Sequence, residues 1–237
     1  MRALGLDDLI DPPCIHAWLG PGSLAVGYVL KDVFNFVLTC SSDGESEVFL
    51  GPREVEEEDL RAVFRQWDPK IRTLVENGHG YLKWPLLDNS QTELSSWVHA
   101  APEDKLSLAL VGDSAHAIGP YIGAALGFES ATVLGKILAQ ARQQADIPAM
   151  LRLYESLRRP RTDLVRGVTQ KMAREWMLPD GPLQVDRDDI FVHEGTPLQG
   201  YPNALQDPFS QRWLYSFDGE KEALEAWRLY RENCPMY

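Results

Sequence analysis

Between residues 14 and 40, apolar residues come in three short runs rich in β-formers, separated by turn residues. This is the pattern of antiparallel strands. Cys14 to Leu19 is the first run, Gly20-Pro21-Gly22 a turn, Leu24 to Leu30 the second run, Lys31-Asp32 a polar turn and Val33 to Cys40 the third. Such a meander needs something to cover one of its faces. After a long turn from Ser41 to Pro52 the period becomes helical. Glu54 to Trp67 carries Val63, Phe64 and Trp67 as an apolar stripe, with Glu56, Glu57, Glu58 and Asp59 at its positive N-terminal end. Asp68-Pro69 opens a second helix, Asp68 as N-cap and Pro69 at the first helical position, which runs through Glu76 and closes at Asn77-Gly78.

Tyr81 to Leu87 and Trp97 to Ala100 read as further strands, and Leu106 to Val111 as a near-continuous apolar strand covered on both faces. Gly123 to Arg142 is helical. A second long helix covers Pro148 to Trp176, with a kink or break expected at Pro160. The Pro-, Gly- and Asp-rich stretch from Pro179 to Ser210 predicts surface loop, and Glu220 to Glu232 a last short helix docked by Leu224, Trp227, Leu229 and Tyr230. The expected class is α+β: a mostly antiparallel sheet packed by long helices. The chain is read as one domain, with a sheet region (14–100), a strand and long-helix region (101–177) and a C-terminal wrapping tail and helix (178–237).

Composition narrows the function. The 237 residues carry a formal net charge of −12, which excludes wholesale binding to nucleic-acid phosphates or to an anionic membrane surface. Hydrophobic residues at 44% supply a real core. Cys14, Cys40 and Cys234 form no C-x-x-C pair, so no thiolate metal site is expected, and the low, odd count suits a reducing compartment. The first residues lack the apolar core of a secretory signal, and no apolar stretch is long enough to span a bilayer. A cytoplasmic protein is the simplest reading.

The segment with most chemistry is Leu110-Val111-Gly112-Asp113-Ser114-Ala115-His116, running on to Pro120 and a helix. A strand, a tight Gly-Asp turn, a loop and a helix together present backbone N–H groups and one carboxylate to a polar ligand. Asp113 is a candidate ligand or proton-transfer group, or a turn residue that satisfies backbone N–H groups. His116 is a candidate general acid or base, or a histidine held by a backbone carbonyl. Asp88 could activate a substrate hydroxyl or enol, and turn chemistry accounts for it equally. Arg158, Arg159 and Arg161 read as partners for surface acids rather than as a phosphate site. No His, Asp and Glu set has metal-ligand spacing, and no Gly-x-Ser-x-Gly elbow occurs.

Four collinear segments carry a resemblance. They are His16-Ala17-Trp18-Leu19-Gly20-Pro21-Gly22 with Val26-Gly27-Tyr28; Trp67-Asp68-Pro69-Lys70-Ile71 with Lys83-Trp84-Pro85-Leu86; Gly112-Asp113-Ser114-Ala115-His116 with Pro120; and Leu178-Pro179-Asp180-Gly181-Pro182 with Asp207-Pro208, Trp213 to Asp218 and Ala226-Trp227. Together they resemble the C-terminal half of FAD-dependent aromatic-ring monooxygenases of the fungal salicylate-hydroxylase type. The resemblance implies that Asp113 meets the flavin ribityl chain. It also implies that the sheet floors a substrate pocket, with His16, Trp18, Tyr28, Trp84 and Tyr121 as candidate substrate contacts.

The family's N-terminal βαβ unit with Gly-x-Gly-x-x-Gly has no counterpart in the sequence: Gly20-Pro21-Gly22 and Gly78-His79-Gly80 have the wrong spacing. Where the family has a Gly-Gln-Gly-like loop after Pro120, the chain reads Tyr121-Ile122-Gly123-Ala124-Ala125 and is shorter by about two residues. Asn89 follows Asp88 where the family has Arg. Ala124 and Ala125 place methyl groups where glycine lets a backbone amide approach a flat ring. These departures lead to the expectation that FAD is not bound and that Gly112, Asp113 and Pro120 are vestiges of its site. The expected function is a cofactor-independent cyclase or isomerase, pericyclic chemistry included, acting on a hydrophobic secondary-metabolite intermediate. The alternatives are an FAD-dependent monooxygenase, present as a fragment or split half, and a non-catalytic binding protein. A truncated gene product and a protein that shed its nucleotide domain both fit. A homodimer is expected to cover surface that a lost domain would leave bare.

Overall fold

The runs read at residues 14–40 form a three-stranded antiparallel sheet in the computed structural model, which describes residues 1–41, 51–86, 94–101, 106–119, 122–193 and 199–233. In chain order the strands are β1 (Ile15–Gly20), β2 (Ser23–Leu30), β3 (Val33–Cys40), β4 (Arg53–Glu54), β5 (Leu82–Lys83), β6 (Val98–Ala101) and β7 (Leu106–Ala109). The α-helices are α1 (Glu57–Phe64), α2 (Pro69–Asn77), α3 (Asp113–His116), α4 (Gly123–Leu138), α5 (Ile147–Trp176), α6 (Pro182–Val192), α7 (Pro208–Tyr215) and α8 (Gly219–Asn233). The class is α+β, with the strands divided among three small antiparallel sheets, β1-β2-β3, β4-β5 and β6-β7, rather than gathered in one. The chain divides into two compact units, Met1–Pro85 with Ala173–Glu194, and Leu86–Met172 with Gly195–Tyr237.

In the first unit, directly paired residues share a sheet face. Trp18, Ala25 and Leu38 are in register, as are His16, Gly27 and Phe36. Trp18, Ala25, Phe36 and Leu38 pack with Phe64 of α1 and Ile71 and Val75 of α2. Leu6, Leu9 and Leu74 extend this core against Trp18, Phe34 and Phe36. The other face of the sheet carries Ile15, Ala17, Val26, Tyr28 and Val37, with Ile15 and Val37 exposed. Asp68 caps α2 by accepting from the Lys70 N–H at 2.7 Å, with Pro69 in the first turn, as the Asp-Pro pair predicts.

The second unit packs Val133 and Ile137 of α4, Met150 and Tyr154 of α5, and Ala223 and Trp227 of α8 into one core cluster. Ile122, Leu126, Val165 and Leu214 form another.

Four sequence expectations are corrected. Leu106–Val111 is not covered on both faces: only Leu106–Ala109 is strand, and Leu106 is 59% exposed. An apolar run reports hydrophobicity and does not say what covers it. Glu54 lies in β4, and the helix begins at Glu57. The stretch read as loop from Pro179 to Ser210 contains α6, started by Pro182. Its Arg187 is buried and donates to the Glu175 and Trp176 carbonyls at 2.8 and 3.1 Å, groups that a helix end leaves open. Finally, α5 runs unbroken through Pro160. Proline there leaves the Ser156 carbonyl without its helical donor. The helix is held on either side of it by ion pairs from Arg158 and Arg161 to Glu129.

Gly27 is required for close approach. A Cβ there would lie 2.5 Å from Phe34 Cζ and 3.5 Å from Trp18 Cζ3. Gly27→Ala is expected to destabilise the chain by about 1–3 kcal/mol through overpacking, read as a lower urea midpoint. An unchanged midpoint would show that the Phe34 ring moves away freely.

Candidate functional site around the Gly112-Asp113 turn

Strand β7 feeds Leu110 and Val111 into a sharp turn at Gly112, whose φ of +67° is a left-handed-side conformation that favours glycine. The N–H groups of Ala115 and His116 both donate to the Gly112 carbonyl at 2.9 Å, winding the single turn of α3. Ser114 Oγ donates to the Val111 carbonyl at 2.9 Å and accepts from the Val111 N–H at 3.2 Å, closing the turn from inside. Asp113 is exposed at the tip. Its Oδ1 lies 3.9 Å from the position a Cβ on Gly123, the first residue of α4, would take. The second turn of α4 also passes close by, because a Cβ on Gly127 would sit 3.7 Å from Gly112 Cα. Among the described residues, no side chain caps the start of α4. Among the described residues, nothing lies within 4 Å of the position a Gly112 Cβ would occupy. The turn therefore presents one carboxylate beside a helix N-terminus of positive potential, an arrangement suited to a polar ligand with hydroxyl and acceptor groups.

Behind this exposed tip lies a buried polar network. His116 is only 1% exposed; its Nε2 is 2.9 Å from Ser130 Oγ and its ring lies 5.4 Å from that of Trp97. Arg158, which is 0% exposed, donates from Nε to Ser130 Oγ at 3.1 Å and from Nη2 to Glu129 at 2.9 Å. Arg161, at 7% exposure, grips the same carboxylate with two hydrogen bonds of 2.7 Å and donates to the Leu214 carbonyl at 3.1 Å. Its guanidinium lies 3.8 Å from the Phe217 ring centroid and 4.9 Å from that of Trp213. Burial pushes the His116 pKa below the ordinary histidine value. The cations of Arg158 and Arg166 push it further, while its own backbone hydrogen bond and Asp113 oppose them.

The sequence-predicted residues separate. Gly112 and Asp113 come together at the turn tip. His116 is placed inward, with Nε2 engaged by the Ser130 hydroxyl. His16, Trp18, Tyr28 and Trp84 belong to the first unit. His16 and Trp18 stack at 5.8 Å on the sheet face that packs against helices, whereas Tyr28 lies on the opposite face. Strand alternation prevents the three from lining one pocket wall. Trp84 is 58% exposed, just beyond β5. Asp88, Asn89, Pro120 and Tyr121 lie outside the described residues.

The arginines read as surface partners are corrected: Arg158 and Arg161 are buried. A signal was present. Met150, Tyr154, Arg158, Arg161, Val165, Thr169 and Met172 recur every three or four residues and are all buried, so both arginines sit on the inward stripe of α5. Glu129 and Ser130 on α4 were not singled out, and nothing in their local sequence marks them. Among the described residues, no group of His, Cys, Asp and Glu could hold a metal ion, and no helix is long and apolar enough to cross a membrane.

No protein-family model matches the chain. Similar proteins nonetheless include the FAD-dependent monooxygenase OpS4 of Beauveria bassiana, 29% identical over 88% of this chain and 48% of that protein. The 3-amino-4-hydroxybenzoate 2-monooxygenase of Streptomyces cremeus is 33% identical over 86% of this chain and 46% of the relative. The 3-hydroxybenzoate 6-hydroxylase of Klebsiella oxytoca is 32% identical over 93% and 51%. Among solved structures, FqzB superposes with a TM-score of 0.67 at 20% identity, covering 94% of this chain and 49% of that one, which shows a shared fold. The chain thus has the fold of a flavin-monooxygenase half. It is a relative of the FAD-dependent monooxygenases, corresponding to their C-terminal half and spanning about half the length of the relatives it matches.

The depressed His116 pKa gives a testable sign. The unfolded chain binds a proton near the ordinary value of about 6.5, and the folded chain only at lower pH. His116 therefore contributes stability above about pH 6.5 that is lost as the pH falls toward the folded value. Urea midpoints should decline with acidification from about pH 7 to about pH 5, and His116→Gln should flatten that decline. An equal slope in both proteins would contradict the assignment.

Proposed function

We propose that this chain forms the ring-side and substrate-side half of an FAD-dependent monooxygenase that hydroxylates a small aromatic acid. The observation that carries the reading is the Gly112-Asp113 turn, its carboxylate exposed beside the uncapped start of α4, in a chain aligned over most of its length with flavin monooxygenases. These residues fit the ribityl and ring end of a flavin: Asp113 would accept from its hydroxyl groups, and the first N–H groups of α4 would donate to a ring acceptor. The dinucleotide end has no Gly-x-Gly-x-x-Gly seat in these 237 residues, so this reading assigns it to a Gly-rich βαβ unit outside them. When bound, FAD supplies the redox chemistry that activates oxygen, while the chain's own residues bind and orient. The aromatic-acid class follows from relatives named for aminohydroxybenzoate and hydroxybenzoate.

A second reading is a cofactor-free cyclase or isomerase acting on a hydrophobic intermediate, with Asp113 polarising a carbonyl or moving a proton. Ala124 and Ala125 favour it: both are exposed in the first turn of α4, where their methyl groups stand in the way of a ring approaching the backbone.

Titrating the purified chain with FAD separates the two. The first reading predicts a shifted visible flavin band and quenched flavin fluorescence. It also predicts an affinity at least tenfold weaker in Asp113→Ala, or about 1.4 kcal/mol. A flavin spectrum unmoved by the chain overturns it. A colourless chain that alters the product ratio of a cyclisation establishes the second.

A further inference from the structure

We propose that Tyr154, Ser130 and Arg158 form a clamp that positions the Gly112-Asp113 turn by holding its entry and its exit. The inference deepens the reading above, since it explains what keeps Asp113 in place for whatever ligand it meets.

Tyr154 on α5 donates its hydroxyl to the Leu110 carbonyl at 2.9 Å, two residues before Gly112. Arg158, one helical turn further along α5, donates to Ser130 Oγ at 3.1 Å. Ser130 on α4 meets His116 Nε2 at 2.9 Å, three residues after Asp113. The turn's entry and exit are thus tied to neighbouring positions of one rigid helix, one tie direct and the other passing through α4. The same helix α4 begins beside Asp113, so the carboxylate and the helix N-terminus are referred to a single frame.

The clamp is stiff because it is desolvated. Tyr154, Ser130 and Arg158 are each 0% exposed, and hydrogen bonds inside a low-dielectric interior are costly to leave unmade. Arg158 is fixed in turn by Glu129 and by Phe217, whose ring centroid lies 5.2 Å from the guanidinium. Arg161 shares that carboxylate and that ring and adds the Leu214 carbonyl, so the segment Trp213–Phe217 forms the outer wall of the clamp. The charged groups bearing on its interior are Glu129 from α4, Glu155, Arg158, Arg161 and Arg166 from α5, Glu222 from α8 and Asp113 of the turn itself.

The test uses two mild changes. Tyr154→Phe removes a single hydroxyl and keeps the ring. Ser130→Ala removes the relay to His116. Amide hydrogen exchange is measured on the chain without any ligand, followed by flavin titration. Each variant is expected to speed exchange at residues 111–117 at least fivefold over the wild type, and the double variant further still. Exchange in α2 and in the α8 core around Trp227 should be unchanged.

Exchange at 111–117 equal to wild type in both variants overturns the proposal. A uniform rise across the second unit with no excess at 111–117 overturns it too, because it would assign these groups to general packing. If FAD binds, both variants should weaken it without loss of Asp113. If the wild type does not bind FAD, the flavin reading falls while the exchange result still decides the clamp.

Discussion

The constraint on which the second unit depends is that two guanidinium groups on one helix face inward and must be satisfied there. An unpaired charge in a protein interior costs several kcal/mol. Arg158 and Arg161 therefore pull Glu129 of α4, the Leu214 carbonyl and the Phe217 ring into fixed places around them. Once Glu129 is held, Ser130 beside it is held, and with it His116 and the exit of the Gly112 turn. The exposed carboxylate at the tip is thus the visible end of a buried electrostatic arrangement. Apolar packing from Val133, Ile137, Met150, Tyr154 and Trp227 supplies the bulk of the core, but it is not directional. The ion pairs decide which rotation of α5 against α4 is allowed.

The first unit follows a different rule. Its sheet is organised by alternation, and the period of two settles which side chains can act together. His16 and Trp18 sit with Ala25 and Gly27 over the helices, while Tyr28 lies on the far face with Ile15 and Val37. Any ligand that uses this sheet as a floor meets the Tyr28 face or the helix face, never both. The Tyr28 face carries the exposed apolar side chains Ile15 and Val37.

Much of this was readable in the residues, and the failures have physical causes. Asp68-Pro69 announced α2 correctly because an N-cap carboxylate and a pre-set proline φ are local effects. Asp207-Pro208 carries the same signal and opens α7, with Asp207 accepting from the Ser210 N–H at 2.6 Å, yet the surrounding Pro- and Gly-rich composition masked it. The turn at Gly112 was legible for the same local reason. Pro160 misled because proline's local cost was overruled by ion pairs on either side, which depend on Glu129 some thirty residues away. The apolar run from Leu106 predicted cover that a single chain's hydrophobicity cannot specify. Arg158 and Arg161 were judged by residue type, although the three-and-four spacing from Met150 to Met172 placed them inside. Ser130 could not have been found locally, since a lone serine in a helix gains its role only from the partners that tertiary packing brings to it.

The chain is related to the FAD-dependent monooxygenases, and its Gly112-Asp113 turn exposes one carboxylate over a buried polar frame. The Arg161–Glu129 pair, its guanidinium buried and its carboxylate half-buried, is a strongly coupled structural element rather than a surface ion pair. The most direct measurement is a double-mutant cycle of Glu129→Gln and Arg161→Met, read by urea unfolding. A coupling energy of about 2 kcal/mol or more is expected, because neutralising Glu129 leaves the buried Arg161 guanidinium without its carboxylate. A coupling below about 0.5 kcal/mol, the range of exposed pairs, would contradict it.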